Sequence, residues 1–403
     1  MLEVEEAQER IFDCLSTLPS ERAPVSDATG RIVAEPVVAP VDLPLFDNSA
    51  MDGFAVRATD LAGASREKPV ALRIAGEIAA GGSPNAEVKE GGCVRVFTGS
   101  ILPTSADAVV MQEEVAVDEQ AANVLCFESI KPWENVRLRG EDVKKGAAVL
   151  AKGERIGATA IGLLGALGLK EMSVARRPVV GLLATGNELR EPGESLEPGR
   201  IYESNRAMLL EPLRAAGALP RSYAIVADSL RDTSKALEEA FAECDAVITS
   251  GGVSVGQYDF VKKAFEQIGG ELNFWRVAIK PGKPFVFGRC REKLLFGLPG
   301  NPVSAFVTFL LLVRPALLRW QGANQVDLAA HPGRLAESLA NRGDRRHFMR
   351  VHVDSNGEVR SAGTQASHAL GSLAAANGLV DVAPNTTLQK GEMARVLRWE
   401  WGE

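Results

Sequence analysis

The sequence predicts a multidomain α/β protein: a three-layer, parallel-sheet α/β domain with a mostly β insert and a small C-terminal β-barrel or sandwich. Three observations carry this. From residue 178 onward, apolar β-branched runs alternate with amphipathic helical stretches, the pattern of a parallel sheet. Residues 70–130 hold only short strand-like runs broken by Gly and Pro. After Trp320 short β-like runs return, with Ser355-Asn356-Gly357 as a hairpin turn.

Composition bounds the function. A length of 403 residues predicts two to four domains, and 46% hydrophobic with 24% charged residues is ordinary for a soluble globular protein. A net charge of −7 argues against a broadly basic nucleic-acid surface, so any anion must be held by a local cluster. The five cysteines (14, 93, 126, 244 and 290) are scattered, as expected for reduced thiols and not for disulfides or a zinc site. The N-terminus is acidic, unlike a signal peptide, and the longest near-apolar run, 303–313, is about half a membrane span. The expectation is a cytoplasmic protein with no nucleic-acid or membrane partner.

In chain order, residues 3–18 place Val4, Ala7, Ile11, Leu15 and Leu18 on one helical face. Arg31–Glu35 reads as a strand, and Pro36, Pro40 and Pro44 as an extended connector between domains. Phe46-Asp-Asn-Ser-Ala-Met-Asp52-Gly53 is turn chemistry carrying polar groups among Phe46, Met51 and Phe54. Strand-like runs follow at 70–78, 93–97, 108–112 and 123–127, the second ending on Thr98-Gly99. Residues 134–146 alternate basic and apolar residues, with Arg137 and Arg139 ahead of Glu141-Asp142; an exposed strand edge is the plain reading. Residues 157–169 form a tightly packed helix or a loop.

The regular part places strands at 179–183, 224–226 and 246–249, with helices around 204–216, 232–243 and 259–268. Ligands in such sheets sit at the carboxyl ends of the strands, where Glu188, Asp228 and the 250–259 loop with Asp259 all fall. Converging carboxylates there suit Mg²⁺ better than a soft metal. Ser250-Gly251-Gly252 follows its strand directly, and the glycines let bare N–H groups approach a ligand. Lys280 and Lys283 flank a Pro-Gly turn, and Pro299-Gly300-Asn301-Pro302 carries an N-cap and N1 helix signal ahead of Val303–Val313. Singly, each loop is only a turn. Together they suit a negatively charged group.

The assembly of Phe46–Gly53, Phe97-Thr-Gly99, Arg139–Asp142, Thr185-Gly-Asn-Glu-Leu189, Ser250–Gly256 with Asp259, Lys280–Pro284 and Gly297–Ser304 resembles one family over essentially the whole chain. That family is the molybdopterin molybdenumtransferases, the MoeA-type and gephyrin E-domain-like molybdenum insertases. The resemblance implies Mg²⁺-dependent insertion of molybdate into adenylated molybdopterin with release of AMP. It implies a homodimer with its active site shared between subunits, with molybdopterin adenylyltransferase and molybdoenzyme maturation factors as further partners. It also implies four domains: 1–22 with 177–323 (α/β, molybdopterin-binding type), 23–47 with 141–176 (a small α+β linker), 48–140 (β-rich insert) and 324–403 (barrel).

By the same resemblance, Glu188, Asp228 and Asp259 are catalytic and metal-holding, and Asp52, Thr98 and Asp142 are catalytic contributions of the insert and its base. Lys280, Lys283 and Ser304 match the molybdate pocket, with Arg350 and Ser367 from the C-terminal domain. Ser250, Gly251, Gly252, Pro299, Gly300, Asn301, Arg137 and Arg139 complete the substrate-binding set. Two positions depart from the family: Asn187 stands where Asp is usual, and Arg276 where Lys is common. Asn187 removes one anionic oxygen, so the sequence predicts a higher Mg²⁺ requirement than that of Asn187→Asp. Rival readings are a non-catalytic cofactor-binding scaffold on this fold, and a serine hydrolase using Ser254 in Gly252-Val-Ser-Val-Gly256. A third is an adenylyltransferase resembling residues 178–320 alone. Nothing in the sequence separates molybdate from tungstate.

Overall fold

A computed structural model describes residues 1–83, 85–253 and 260–399, so Ser254 and Asp259 lie outside the described residues. The chain forms two compact units, one of Met1–Glu35, Lys152–Gly157 and Met172–Glu403, the other of Pro36–Ala151 and Ala158–Glu171.

The larger unit is built on a six-stranded sheet in the order Leu219–Ser222, Val179–Ala184, Ala246–Ser250, Lys293–Leu298, Pro284–Cys290, Glu271–Arg276. Its four inner strands are mostly apolar because both faces are covered, while the two edge strands carry polar residues. Leu182, Ile248 and Phe296 face one way, into a core with Leu209 and Leu213 of the helix Asn205–Ala215 and with the N-terminal helix residues Val4, Ala7 and Ile11. Leu183, Val247 and Leu295 face the other way, against Leu237 and Phe241 of Leu230–Glu243 and Phe265 of Val261–Gln267. The period of two along each strand divides the side chains between the two helical layers. The stretch Pro302–Trp320, apolar and long enough to cross a bilayer, is 89% buried in the first of these cores.

Four differences from the sequence reading have physical causes. The first four strands are parallel, but Pro284–Cys290 and Glu271–Arg276 join antiparallel at one edge, so the sheet is mixed. The strand expected at 224–226 lies earlier, at Leu219–Ser222, a polar edge strand pairing with Val179–Leu182. The apolar Ala224-Ile225-Val226 run contributes only a single bridge, Val226 to Thr185. Arg31–Glu35 likewise makes only isolated bridges through Ile32 and Val33. The N-terminal helix spans Val4–Phe12 and stops short of Leu15 and Leu18, which still pack partly against the core.

The C-terminal part of this unit is a closed five-stranded barrel. Arg346–Val353, Glu358–Ser361, Ala329–Leu335, Met393–Arg398 and Gly378–Val382 pair in that order, and the last pairs back onto the first. Leu335, Met349, Val351, Val359, Val380 and Val396 fill it. Asp354 Oδ1 accepts the N–H groups of Asn356 and Glu358, which builds the expected hairpin turn over Ser355–Gly357. Phe348 points out of the barrel into the α/β core, so alternate residues of one strand serve two cores.

The smaller unit carries a six-stranded sheet in the order Ala108–Met111, Gly53–Val56, Gly92–Val96, Val70–Ile78, Asn123–Cys126, Val115–Asp118. Gly53 is forced: a Cβ there would sit 2.0 Å from the Val110 carbonyl oxygen. The Gly-rich 157–169 stretch forms a helix, Ala158–Ala166, in which only Leu164 is buried. Tight packing around it, one of the two expectations, is not what its residues show.

Candidate active site

The parallel strands end on one shared edge, and a cleft of about 670 Å³ opens there. Glu188, Asp228, Ser250, Gly251, Gly252, Pro299, Gly300 and Asn301 line it, all expected from the sequence. Gly251 holds φ +92°, and a Cβ on it would meet the Thr185 carbonyl oxygen at 2.7 Å, so only glycine lets this loop close over the strand end. Gly186 does the same for Glu188, whose carboxylate lies 2.7 Å from where a Cβ would stand.

Asp228 is held by a reciprocal pair of bonds. The Asn187 N–H donates to Asp228 Oδ2 at 2.9 Å, and Asn187 Oδ1 accepts the Asp228 N–H at 3.1 Å. The Asn187 carbonyl accepts from Arg190 at 3.3 Å and from Arg200. Asn187 lines a neighbouring hollow, whereas Glu188 and Asp228 line the cleft. The residue read from sequence as a lost ligand is a brace between two loops.

Residues the sequence did not single out complete the cleft. Asn205, at the start of its helix, donates Nδ2 to Ser250 Oγ (2.6 Å) and to the Gly300 carbonyl (2.8 Å). Glu203 is buried in an ion pair with Arg206 (3.0 Å), which also reaches Glu191 at 2.8 Å. Glu203 lies just before the helix and Asn205 opens it, both in an ordinary polar stretch, and only the position of Gly300, far along the chain, gives Asn205 its meaning.

The expected molybdate residues divide. Arg350 is the largest fully buried side chain. Its Nε donates to Ser372 Oγ (3.1 Å) and its Nη2 to the carbonyls of Thr364 (2.6 Å) and Ala366 (3.1 Å), while Nη1 is buried without a partner. It thereby fixes the loop carrying Ser367, whose Oγ accepts from Asn301 Nδ2 at 3.0 Å and whose carbonyl accepts the Val303 N–H at 3.2 Å. Asn301 stands at the N-cap position, yet its side chain serves Ser367 and makes no cap bond. Ser304 is buried in the first helical turn. Lys280 and Lys283 are both exposed, with Gly282 packed so tightly that a Cβ would meet Thr308 Cγ2 at 2.5 Å. Lys280 pairs beside His347 and lines a hollow at the barrel's end, which Lys283 does not.

Burial, with the charges of Lys280, Arg350 and Arg345 adding to it, pushes His347 down to about 4 from its ordinary 6.5. The unfolded chain takes up this proton near pH 6.5, the native one only near 4. The neutral ring therefore contributes stability that is complete above pH 6.5 and lost as pH falls toward 4, roughly 3 kcal/mol in all. Urea unfolding at pH 4.5 and pH 7 is expected to show a smaller difference for His347→Gln than for the unmodified protein. Equal differences would contradict it.

In the smaller unit, Asp52 Oδ1 accepts both the N–H (2.7 Å) and the hydroxyl (2.8 Å) of Thr98. These bonds hold the Asp52 carboxyl below its usual range. Asp142 is exposed, with its N–H on the Leu43 carbonyl at 3.1 Å. Arg137 pairs through its strand with Asn48. Arg139 is engaged within the unit, its Nε on Asp42 at 2.6 Å and its N–H on Asp47 at 2.7 Å.

Carboxylates facing a glycine-lined cleft at the ends of parallel strands, beside a closed barrel, are the arrangement of an α/β enzyme that acts on an anionic substrate. Family models match along the chain: the MoeA N-terminal region (domain I and II) at residues 2–168, a probable molybdopterin binding domain at 181–319, and the MoeA C-terminal region (domain IV) at 332–399. The molybdopterin molybdenumtransferase of Haemophilus influenzae is 39% identical over 91% of both chains. Molybdopterin molybdenumtransferase 2 of Mycobacterium tuberculosis is 37% identical over 99% of this chain and 100% of its own. The crystal structure of the molybdopterin biosynthesis MoeA protein of Pyrococcus horikoshii superposes with a TM-score of 0.85 at 31% identity, covering 99% of this chain and 100% of that one. The chain belongs to the MoeA family of molybdopterin molybdenumtransferases. That membership leaves the serine hydrolase and stand-alone adenylyltransferase readings without support.

Proposed function

We propose that this protein inserts molybdate into adenylated molybdopterin in a Mg²⁺-dependent reaction that releases AMP. The observation that carries the reading is the convergence of Glu188 and Asp228 on the glycine-lined cleft at the strand ends. Two hard carboxylates fit Mg²⁺, which takes few protein ligands and completes its shell with water and phosphate oxygens. Glu188 and Asp228 would hold it, with Asp259, and the bound ion would neutralise charge developing on the pyrophosphate.

The Gly251 N–H is held by the Leu298 carbonyl at 3.1 Å, which leaves the Gly252 N–H to bind a phosphate oxygen, and the Asn187 brace keeps the Asp228 carboxylate oriented. Arg350, Ser367, Ser304, Lys280 and Lys283 supply the cations and hydroxyls that a tetrahedral dianion requires. Asp52, Thr98, Asp142, Arg137 and Arg139 belong to the same reaction, contributed by the second subunit of a homodimer. Asp52, kept ionised by Thr98, can accept a proton or orient an attacking oxygen. The four-part domain division, a cytoplasmic location and the named protein partners belong to this proposal too.

The test is incubation of the purified protein with adenylated molybdopterin, Mg²⁺ and molybdate, following AMP and metal in the cofactor. Molybdate-dependent AMP release supports the reading; tight substrate binding with no AMP refutes it in favour of a scaffold. Mixing Asp52→Ala and Asp228→Ala subunits, each inactive alone, should restore activity if the site is shared.

Because Asn187 serves Asp228 through an oxygen that aspartate also has, Asn187→Asp is expected to change Mn²⁺ affinity by less than about threefold. Asn187→Ala removes the brace and should lower it about tenfold, one hydrogen bond's worth. Electron paramagnetic resonance titration with Mn²⁺ checks both. A large gain in Asn187→Asp would restore the lost-ligand reading.

A further inference from the structure

Asn205 lines the cleft and is 7% exposed. Its Nδ2 faces Ser250 Oγ and the Gly300 carbonyl oxygen. A carbonyl oxygen only accepts, so the nitrogen of the amide must face Gly300, and this fixes which end of the side chain is which. The other end, Oδ1, is then left buried with no hydrogen bond among the described residues. Thr185 Oγ1, lining the same cleft, is also buried without a partner. Buried acceptors are almost always paired, and each exception calls for an explanation. Here the explanation is a donor that arrives with the ligand.

The chemistry of that donor follows from the atom. An amide oxygen carries partial negative charge and repels phosphate, molybdate or carboxylate oxygens. It cannot serve the anionic end of a substrate. It accepts from N–H or O–H, and a buried acceptor discriminates sharply against an analogue that lacks the donor, because the acceptor is then left unpaired.

We propose that Asn205 Oδ1 is a specificity-determining acceptor that reads an N–H of a fused-ring heterocycle bound in this cleft. The assignment rests on the proposed function, in which the substrate carries two such rings, a pterin with its lactam N–H and amine, and an adenine with its amine. The shared chemistry is a planar heterocycle presenting N–H at its edge. The Thr185 hydroxyl, donor and acceptor at once, is suited to an adjacent ring nitrogen or N–H. Asn205 thus orients the heterocycle while Glu188 and Asp228 act at the phosphate end.

Calorimetric or fluorescence titration of the full-length protein with paired probes tests this. One pair is 6-carboxypterin and its N3-methyl analogue; the other is AMP and purine riboside 5′-monophosphate, which lacks the amine. The expected result is a preference of about tenfold or more within one pair, equivalent to one buried hydrogen bond. Asn205→Ala should erase that preference, bringing the two probes of the pair to equal affinity. A preference in the first pair identifies the pterin as the ring read, and in the second the adenine. Equal affinities within both pairs, or a preference that survives Asn205→Ala, would overturn the assignment and leave the proposed function standing. Failure of every probe to bind would overturn both.

Discussion

Asp228→Asn is expected to lower molybdate-dependent AMP release by about 10²-fold or more, with little change in thermal stability. The size follows from the charge. Removing one preorganised electrostatic group from a transition state that transfers a phosphoryl group typically costs this much. The unchanged stability follows from the local geometry. Asparagine keeps an oxygen that can accept the Asn187 N–H, and the Asp228 backbone N–H still donates to Asn187 Oδ1. The loop is therefore preserved, and the shift in unfolding free energy should stay within about 0.5 kcal/mol. A quenched-flow or chromatographic AMP assay beside a thermal melt separates the two quantities. Near-normal AMP release in a correctly folded Asp228→Asn would remove Asp228 from the proposed mechanism.

What the sequence made legible divides along a physical line. Strands buried on both faces, such as Val179–Ala184 and Ala246–Ser250, announce themselves as apolar runs, and the residues just after them mark the cleft because a parallel sheet places its strand ends together. Glu188, Asp228 and Ser250–Gly252 were readable for that reason. The strand Leu219–Ser222 was not, because its composition is that of an exposed edge and its neighbour Ala224–Val226 has the stronger β pattern. Asn205 was missed because its role is defined by Gly300, which no local pattern connects to it. The bracing bond of Asn187 was hidden for a related reason: its residue type suggests a deleted ligand, and only the fold shows its side chain turned toward Asp228. Lys280 and Lys283 looked equivalent across one turn, yet only Lys280 pairs against the barrel strand and lines the hollow beside His347.

On the proposed function, molybdate is expected to raise the melting temperature of the unmodified protein, and Arg350→Met to abolish that rise. Arg350 is fully buried, and among the described residues its guanidinium pairs with no carboxylate; its bonds go to Ser372 Oγ and to the carbonyls of Thr364 and Ala366. Burial holds its pKa below the ordinary arginine value. A buried cation without a counter-charge is costly, and Nη1, without any partner, still has donors to offer. An anion bound nearby supplies both the charge and the acceptor, so it stabilises the native state by its binding free energy, about 2.7 kcal/mol at a hundredfold excess over Kd. In Arg350→Met two effects oppose each other without anion: Ser372 Oγ loses the Arg350 donor and the Thr364 and Ala366 carbonyls keep only their Ser372 Oγ and Ala369 N–H donors, while an uncompensated buried charge disappears. The melting temperature without anion therefore moves less than the anion-dependent increment, which should vanish. Arg350→Lys should not rescue it, because one ammonium cannot reproduce the planar fork that bonds Ser372, Thr364 and Ala366 together. Differential scanning calorimetry with and without molybdate gives both quantities for each variant. A full molybdate-dependent shift in Arg350→Met would show that the anion is held elsewhere and that Arg350 only anchors the Ser367 loop.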